Sequence, residues 1–349
     1  NMITGTQTKT KLFKMMKRTY TSATHLPIPN KPRDLSVSIC PGEGVGPQLT
    51  ESVLQIFDYL KVPLKTESIE YSSLKRDQGN PELKNNKNLL LGPVSDKTIE
   101  EENKGICHSQ ILEEMDVFAS VINAISIPGI DTKGKDVDLL IIQQADKGFQ
   151  SKSGAEYDDV SSCWITPCVE SKTIAQYALN NALMSQRSKI TALHQANIQK
   201  ECHGEFLINM RKATKDQKGI QYEELNMSDA IGELLKDPEA FELIVLPTGC
   251  GNAIQNIAMS LVGGSSIVPS VHIGDKYTIF EQGGNNPCYS KVKDKTANPT
   301  GLILAASMML RQVCLPSYAD LIEEAVFKTY ENPEIRTPEL GGNYSTTEF

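Results

Sequence analysis

Three glycines at alternate positions open the chain's chemistry. Pro41-Gly42-Glu43-Gly44-Val45-Gly46-Pro47 follows a short run that alternates apolar and polar residues, Leu35 to Cys40. Backbone N–H groups in such a turn can cradle a phosphate at the start of a helix. The spacing is Gly-x-Gly-x-Gly, however, and not the dinucleotide fingerprint Gly-x-Gly-x-x-Gly. It reads first as a tight turn that needs positive φ. A second strand–turn–helix junction lies at Pro247-Thr248-Gly249-Cys250-Gly251. Eight cysteines (Cys40, Cys107, Cys163, Cys168, Cys202, Cys250, Cys288, Cys314) form no Cys-x-x-Cys, so neither a zinc spacing nor a disulfide framework is supported. The five histidines show no paired spacing, and His203 and His272 read as structural.

The elements that must position these residues alternate between strand and helix. Leu35 to Cys40 reads as a strand, and Pro47 suits the first turn of the helix that follows. Val53, Leu54, Ile56, Phe57 and Leu60 give that helix an apolar face. Asp77 to Asn88 is polar and reads as loop or insertion. Asp138 to Ile142, Lys189 to Leu193 and Phe241 to Leu246 read as buried strands. Helices are expected through Ala175, Tyr177, Ala178 and Leu183, and through Ile254, Ile257, Ala258 and Leu261. Asn298-Pro299-Thr300 opens a last helix, with Asn298 as its cap candidate. Such alternation implies an α/β fold with helices on a mostly parallel sheet.

Composition narrows the function class. At 39% hydrophobic and 22% charged residues, the chain has the composition of a globular protein. No apolar run approaches the roughly 20 residues of a membrane helix, and Gly301 to Leu310 reads as a buried helix. Residues 1–34 hold seven Lys or Arg against Asp34 alone, so they carry +6 and the remaining chain −14 of the net −8. An acidic body argues against nucleic-acid binding. The basic stretch, with Leu12, Phe13, Met15 and Met16 between Lys11, Lys14 and Lys17, reads as a mitochondrial-type extension. We expect it to be retained and held by a partner.

Collinear motifs then carry a resemblance. The glycine-rich turn resembles the Pro-Gly-Asp-Gly-Ile-Gly-Pro of isocitrate and isopropylmalate dehydrogenases. His194-Gln195-Ala196-Asn197-Ile198-Gln199-Lys200 is similar to that family's His-Lys-Ala-Asn-Ile-Met-Lys. Leu261 to Gly264, Ile267 to Ser270, Ile273 to Asp275, Phe280-Glu281, Ala297 to Thr300 and the tail from Leu340 follow its order to the C-terminus. The nearest likeness is to the non-catalytic subunits of mitochondrial NAD-dependent isocitrate dehydrogenase. The resemblance implies two lobes sharing a largely parallel sheet, residues 35–120 with 263–349 and residues 121–262. It also implies a clasp segment at about 151–168.

The family's reaction needs a divalent metal on carboxylates, arginines that clamp the substrate, and a Lys and a Tyr to move protons. By resemblance the metal acids fall at Asn252 and Asn256, with Asp229 beside a third. The clamp and its neighbours fall at Ile106, His108, Leu112, Ile122 and Gln143. The proton carriers fall at Gln150 and Gln195. The nucleotide loop runs through Glu281, Gly283 and Gly284 toward Asn298 and lacks its His and Asp. Two amides cannot offset a bare Mg²⁺ or Mn²⁺ as two carboxylates do, and a carboxamide has no usable pKa near neutrality. The expectation is therefore a catalytically inactive subunit without NAD or metal, in the mitochondrial matrix or on the matrix side of the inner membrane. Its partners would be homologous isocitrate dehydrogenase-like subunits. The alternatives are an accessory architectural subunit of a larger mitochondrial assembly such as a respiratory complex, ATP synthase or mitoribosome and, least favoured by the missing metal acids and lysine, an active NAD-dependent isocitrate dehydrogenase.

Overall fold

The computed structural model describes residues 35–74, 86–94, 108–145, 150–153, 160–163, 168–283 and 295–349. The basic extension 1–34, Ile106, Trp164 and Gly284 lie outside the described residues, as do the side chains of residues 150–153. In chain order the elements are β1 (Ser36–Cys40), α1 (Gly46–Leu60), β2 (Lys65–Ser68), β3 (Asn88–Leu91), α2 (His108–Glu114), β4 (Val117–Ile125), β5 (Asp138–Gln144), β6 (Gln150–Ser153), β7 (Val160–Cys163), α3 (Cys168–Met184) and β8 (Lys189–His194). There follow α4 (Lys200–Thr214), β9 (Gln221–Asn226), α5 (Met227–Lys236), β10 (Leu243–Leu246), α6 (Gly251–Val262), β11 (Pro269–Gly274), β12 (Thr278–Gln282), α7 (Thr300–Gln312) and α8 (Pro316–Glu331).

Ten strands form one sheet in the order β2-β1-β3-β12-β11-β4-β5-β10-β8-β9. Both flanks are parallel, and the three pairings β12–β11, β11–β4 and β4–β5 at the centre are antiparallel. β4 and β5 are buried along almost their whole length, although Ser120, Asn123, Gln143 and Gln144 interrupt their apolar runs. The mostly parallel α/β architecture expected from the sequence is the one observed. β6 and β7 pair apart from the main sheet, antiparallel from Gln150 opposite Cys163 to Ser153 opposite Val160, where the clasp was expected. Among the described residues no helix is long and apolar enough to cross a membrane.

Two details of packing differ from the sequence reading. Leu54 and Leu183, assigned to apolar helix faces, are 38% and 47% exposed. The polar stretch ending at Asn88 is not all loop. Asn86 is buried and its amide donates to Ser38 Oγ (3.1 Å) and Glu67 Oε2 (2.8 Å), so it pins the start of β3 to β1 and β2. Satisfied hydrogen bonds, not hydrophobicity, hold that polar side chain inside. By contrast α7 is buried from Thr300 to Leu310, as its apolar run required. Asn298 caps it in substance: its Oδ1 accepts from Thr300 N (3.0 Å) while its Nδ2 donates to the Tyr330 hydroxyl (3.1 Å).

The glycine-rich turn is shaped by close backbone approach. Gly42 sits at φ +73°, and a Cβ there would lie 2.2 Å from the Pro93 carbonyl oxygen. That carbonyl accepts from Glu43 N (2.8 Å), which ties the turn to the end of β3. An L side chain at this φ is strained, and the clash adds to it. Gly42→Ala is expected to lower stability by about 2–4 kcal/mol. A thermal or urea unfolding curve showing no loss would contradict the packing described.

Candidate functional site

Strand register gathers the candidate residues on one face of the central sheet. In antiparallel pairs, residues directly opposite share a face. Ser120 on β4 lies opposite His272 on β11 and Gln143 on β5. Ser270 lies opposite Glu281 on β12 and Ile122 on β4. The face therefore carries Gln143, Ser120, His272 and Glu281 beside Ile122.

At its centre is the Glu281 carboxylate, 5% exposed. His272 Nε2 lies 2.6 Å from one of its oxygens and His108 Nε2, from the first turn of α2, lies 2.8 Å from the other. The two imidazoles meet edge to face with ring centres 5.4 Å apart. His272 Nδ1 is 2.7 Å from Ser120 Oγ. Burial by itself raises the Glu281 carboxyl, but the charge and hydrogen bonds of His108 and His272 outweigh it and hold the group well below the usual carboxylate range. Farther along the same face, Gln255 Nε2 of α6 donates to Gln143 Oε1 (2.7 Å), and the Gln143 carboxamide is packed over the Cα of Gly251.

The other predicted positions are scattered around this group. Ile122 is buried in the main core. Leu112 is half-buried against a second apolar cluster that includes Ile111, Met115 and Val117. Gln195 is half-buried, and its Oε1 is within 3.6 Å of the Cys250 thiol. Its backbone N donates to His203 Nδ1 (2.8 Å), which bears out the structural reading of His203. Burial lowers the pKa of that imidazole. Asn252 is exposed and Asn256 half-buried, and the Asn256 amide donates back to the Asn252 carbonyl (2.8 Å) along the helix. Asp229 is exposed in the first turn of α5. Gly283 turns at φ +57°, hard against the Ser265 backbone. Cys40 is a buried free thiol, pushed by burial up to about 11.

Neither the amides of α6 nor the exposed Asp229 match the hard, charged oxygen cage that Mg²⁺ or Mn²⁺ requires. Of the expected nucleotide positions, Glu281 is held between two imidazoles, and Asn298 between Thr300 and Tyr330. What the face can do chemically is hold positive charge beside one buried carboxylate. The sequence reading found Glu281 and His108 as separate positions but missed their union with His272. No local spacing signals it, since His108 and Glu281 are 173 residues apart.

The family model for isocitrate/isopropylmalate dehydrogenase matches residues 36–349. The chain belongs to that family. It is 34% identical over 337 residues to regulatory subunit 3 of mitochondrial NAD isocitrate dehydrogenase from Arabidopsis thaliana, covering 94% of this chain and 90% of the relative. It is 32% identical to the beta subunit from Bos taurus, covering 90% and 84%. Among solved structures, isocitrate dehydrogenase from Methylococcus capsulatus superposes with a TM-score of 0.82 at 23% identity, covering 90% of this chain and 96% of that one. TT0538 protein from Thermus thermophilus gives 0.83 at 24%, covering 90% and 66%. At those identities the structures speak to the fold.

The packing around Gln143 makes a direct forecast. The Gln143 carboxamide is buried between the neutral Gln255 amide and the Cα of Gly251, and an arginine here would place a cation against that uncharged part of α6. Gln143→Arg is expected to destabilise the chain by roughly 3–5 kcal/mol, the scale of an uncompensated buried charge. A calorimetric melting temperature equal to that of the unaltered chain would refute this account of the face.

Proposed function

We propose that this chain is a catalytically inactive isocitrate dehydrogenase-like subunit with a regulatory or structural role in a mitochondrial complex. The observation that carries the reading is the chemistry of the central face. Leu112, Ile122 and Gln143 stand where the family places its arginine clamp, and two of them are apolar side chains packed in cores. A tricarboxylate there would be stripped of water without cationic partners, at a penalty of about 2–5 kcal/mol for each missing pair. Gln195 in place of the family's lysine and the amides Asn252 and Asn256 in place of its metal acids point the same way. Catalysis belongs to the site, and the retained fold does not supply it.

In this reading neither NAD nor a divalent metal binds at the family's positions. The relatives at 32–34% identity are named as regulatory and beta subunits of mitochondrial NAD isocitrate dehydrogenase. Their names support a mitochondrial location and isocitrate dehydrogenase-like partners for this chain. The exposure of Asn252, and the open surface hollow that Asn256 lines with Leu235, Ile257 and Ser260, suit a contact surface better than a closed reaction site.

Two measurements test the proposal. The purified chain, given isocitrate, NAD and Mg²⁺ or Mn²⁺, is expected to show no reduction of NAD above the protein-free rate. Turnover near the ordinary enzymatic range of about 1–10³ s⁻¹ would overturn it. The combined variant Gln195→Lys, Asn252→Asp and Asn256→Asp is also expected to stay inactive, because no arginine clamp is restored. Native mass determination of the complex is expected to find isocitrate dehydrogenase-like chains beside this one. A particle built only of unrelated subunits would replace that partner assignment with the architectural one.

A further inference from the structure

His108, His272 and Glu281 bring three side chains of metal-ligand type together, all three buried, with their ligand atoms within 4.8 Å of one another. We propose that this cluster is a binding site for a borderline divalent transition ion, with Zn²⁺ as its natural class of occupant. The site is separate from the family's metal positions at Asn252 and Asn256, and it stands whether or not the chain is inactive.

Four arguments meet at the cluster. The donor set is two imidazole nitrogens and one carboxylate, which suits zinc and its neighbours and does not suit Mg²⁺ or Ca²⁺. Both Glu281 oxygens are already aimed, one at each ring, so a bidentate carboxylate with the two Nε2 atoms supplies four donors without water. Zn–N and Zn–O bonds of about 2.0–2.2 Å place opposite ligands up to about 4.2 Å apart, so side-chain shifts of under about 1 Å admit the ion. Finally, the outer nitrogen of His272 has a partner of the kind that orients metal-binding imidazoles. With an ion in place of the Nε2 proton, Nδ1–H can donate to Ser120 Oγ at 2.7 Å, which turns the Nε2 lone pair toward the ion.

The backbone around the cluster is fixed by the sheet. His272 and Glu281 sit on adjacent, paired strands, and Ser120 faces His272 across the next pairing. Only His108 comes from outside the sheet, on the seven-residue α2. An ion here would therefore staple α2 to β11 and β12, replacing the two N–H protons that otherwise bridge the carboxylate. The chemistry balances as simple ligand exchange: the ion enters and protons leave the two Nε2 atoms.

The test uses the full chain, produced in zinc-supplemented medium and separately stripped with a strong chelator. Elemental analysis of the unstripped protein is expected to give about one zinc per chain. The stripped protein is expected to regain it and to show a raised melting temperature with Zn²⁺ but not with Mg²⁺. Co²⁺ in its place is expected to give visible d–d bands of a site with nitrogen and oxygen donors and no thiolate charge-transfer band. Ser120→Ala should weaken Zn²⁺ binding about 10–100-fold, as loss of an orienting partner does, and His272→Ala should abolish it. Cys250→Ala, a substitution at a thiol outside the cluster, should leave binding unchanged. Protein that carries less than about a tenth of an equivalent both as produced and after reloading would show a purely hydrogen-bonded cluster and overturn the proposal. So would zinc that survives His272→Ala, or a cobalt spectrum with thiolate bands, since either places the ion elsewhere. The cobalt spectrum is taken on the unaltered chain, so the outcome does not depend on any variant folding.

Discussion

A carboxylate buried as deeply as Glu281 must be met in charge and in hydrogen bonds, because leaving one bare in an apolar interior costs several kcal/mol. Much of the arrangement at the centre of the sheet follows from that requirement. The register of β11 against β4 cannot slip, since one residue of slip would carry His272 and Ser120 to opposite faces. α2 is short, yet its first residue is buried because the second carboxylate oxygen needs His108. A proton on each Nε2 or a shared ion meets the same need through the same atoms. The geometry of the cluster is thus set by the carboxylate, and its occupant is a second question.

Backbone constraints and side-chain chemistry have parted company in this chain. Gly42, Gly92 and Gly283 each bring main chain against main chain so closely that a Cβ would fall within 2.5 Å of a neighbouring atom. Gly42 and Gly92 seat the turn after β1 against the end of β3, and Gly42 matches the family's pattern. The positions that demanded charge do not match it. Gln143 and Gln255 hydrogen-bond to each other, a neutral pair that needs no counter-ion. Asn256 turns its amide onto its own helix. Each group is satisfied locally, as polar side chains in and beside a core must be.

The sequence disclosed the parts of the fold that obey short-range rules. β1, β5, β8 and β10 were legible as apolar runs closed by turns, and α1, α6 and α7 by their apolar period and their openings at Pro47, Gly251 and Thr300. The Asn298 cap was legible for the same reason, because its partner is two residues away. Asn86 was not, since its burial depends on Ser38 and Glu67, which only the sheet brings near. Exposure of Leu54 and Leu183 was hidden as well: periodicity shows that a face is apolar but not how wide a stripe the neighbours cover. The cluster at Glu281 is the extreme case. Its histidines carry no spacing signal, and Ser120 and His272 meet across 152 residues of chain.

The same energetics bear on the positions where the family's pattern would place charge. An active cleft keeps charged groups close together in partial desolvation, and such an arrangement is paid for in stability. Ile122 and the apolar contacts of Leu112 carry no such burden, because these side chains pack within or against two apolar clusters. Fully burying an aliphatic side chain of that size is worth about 1.5–3 kcal/mol. Placing a guanidinium at Ile122 would forfeit this gain and add a buried charge, so such a change is uphill unless a partner charge comes with it. The absence of a cation at these two positions and their apolar packing are therefore one property seen from two sides.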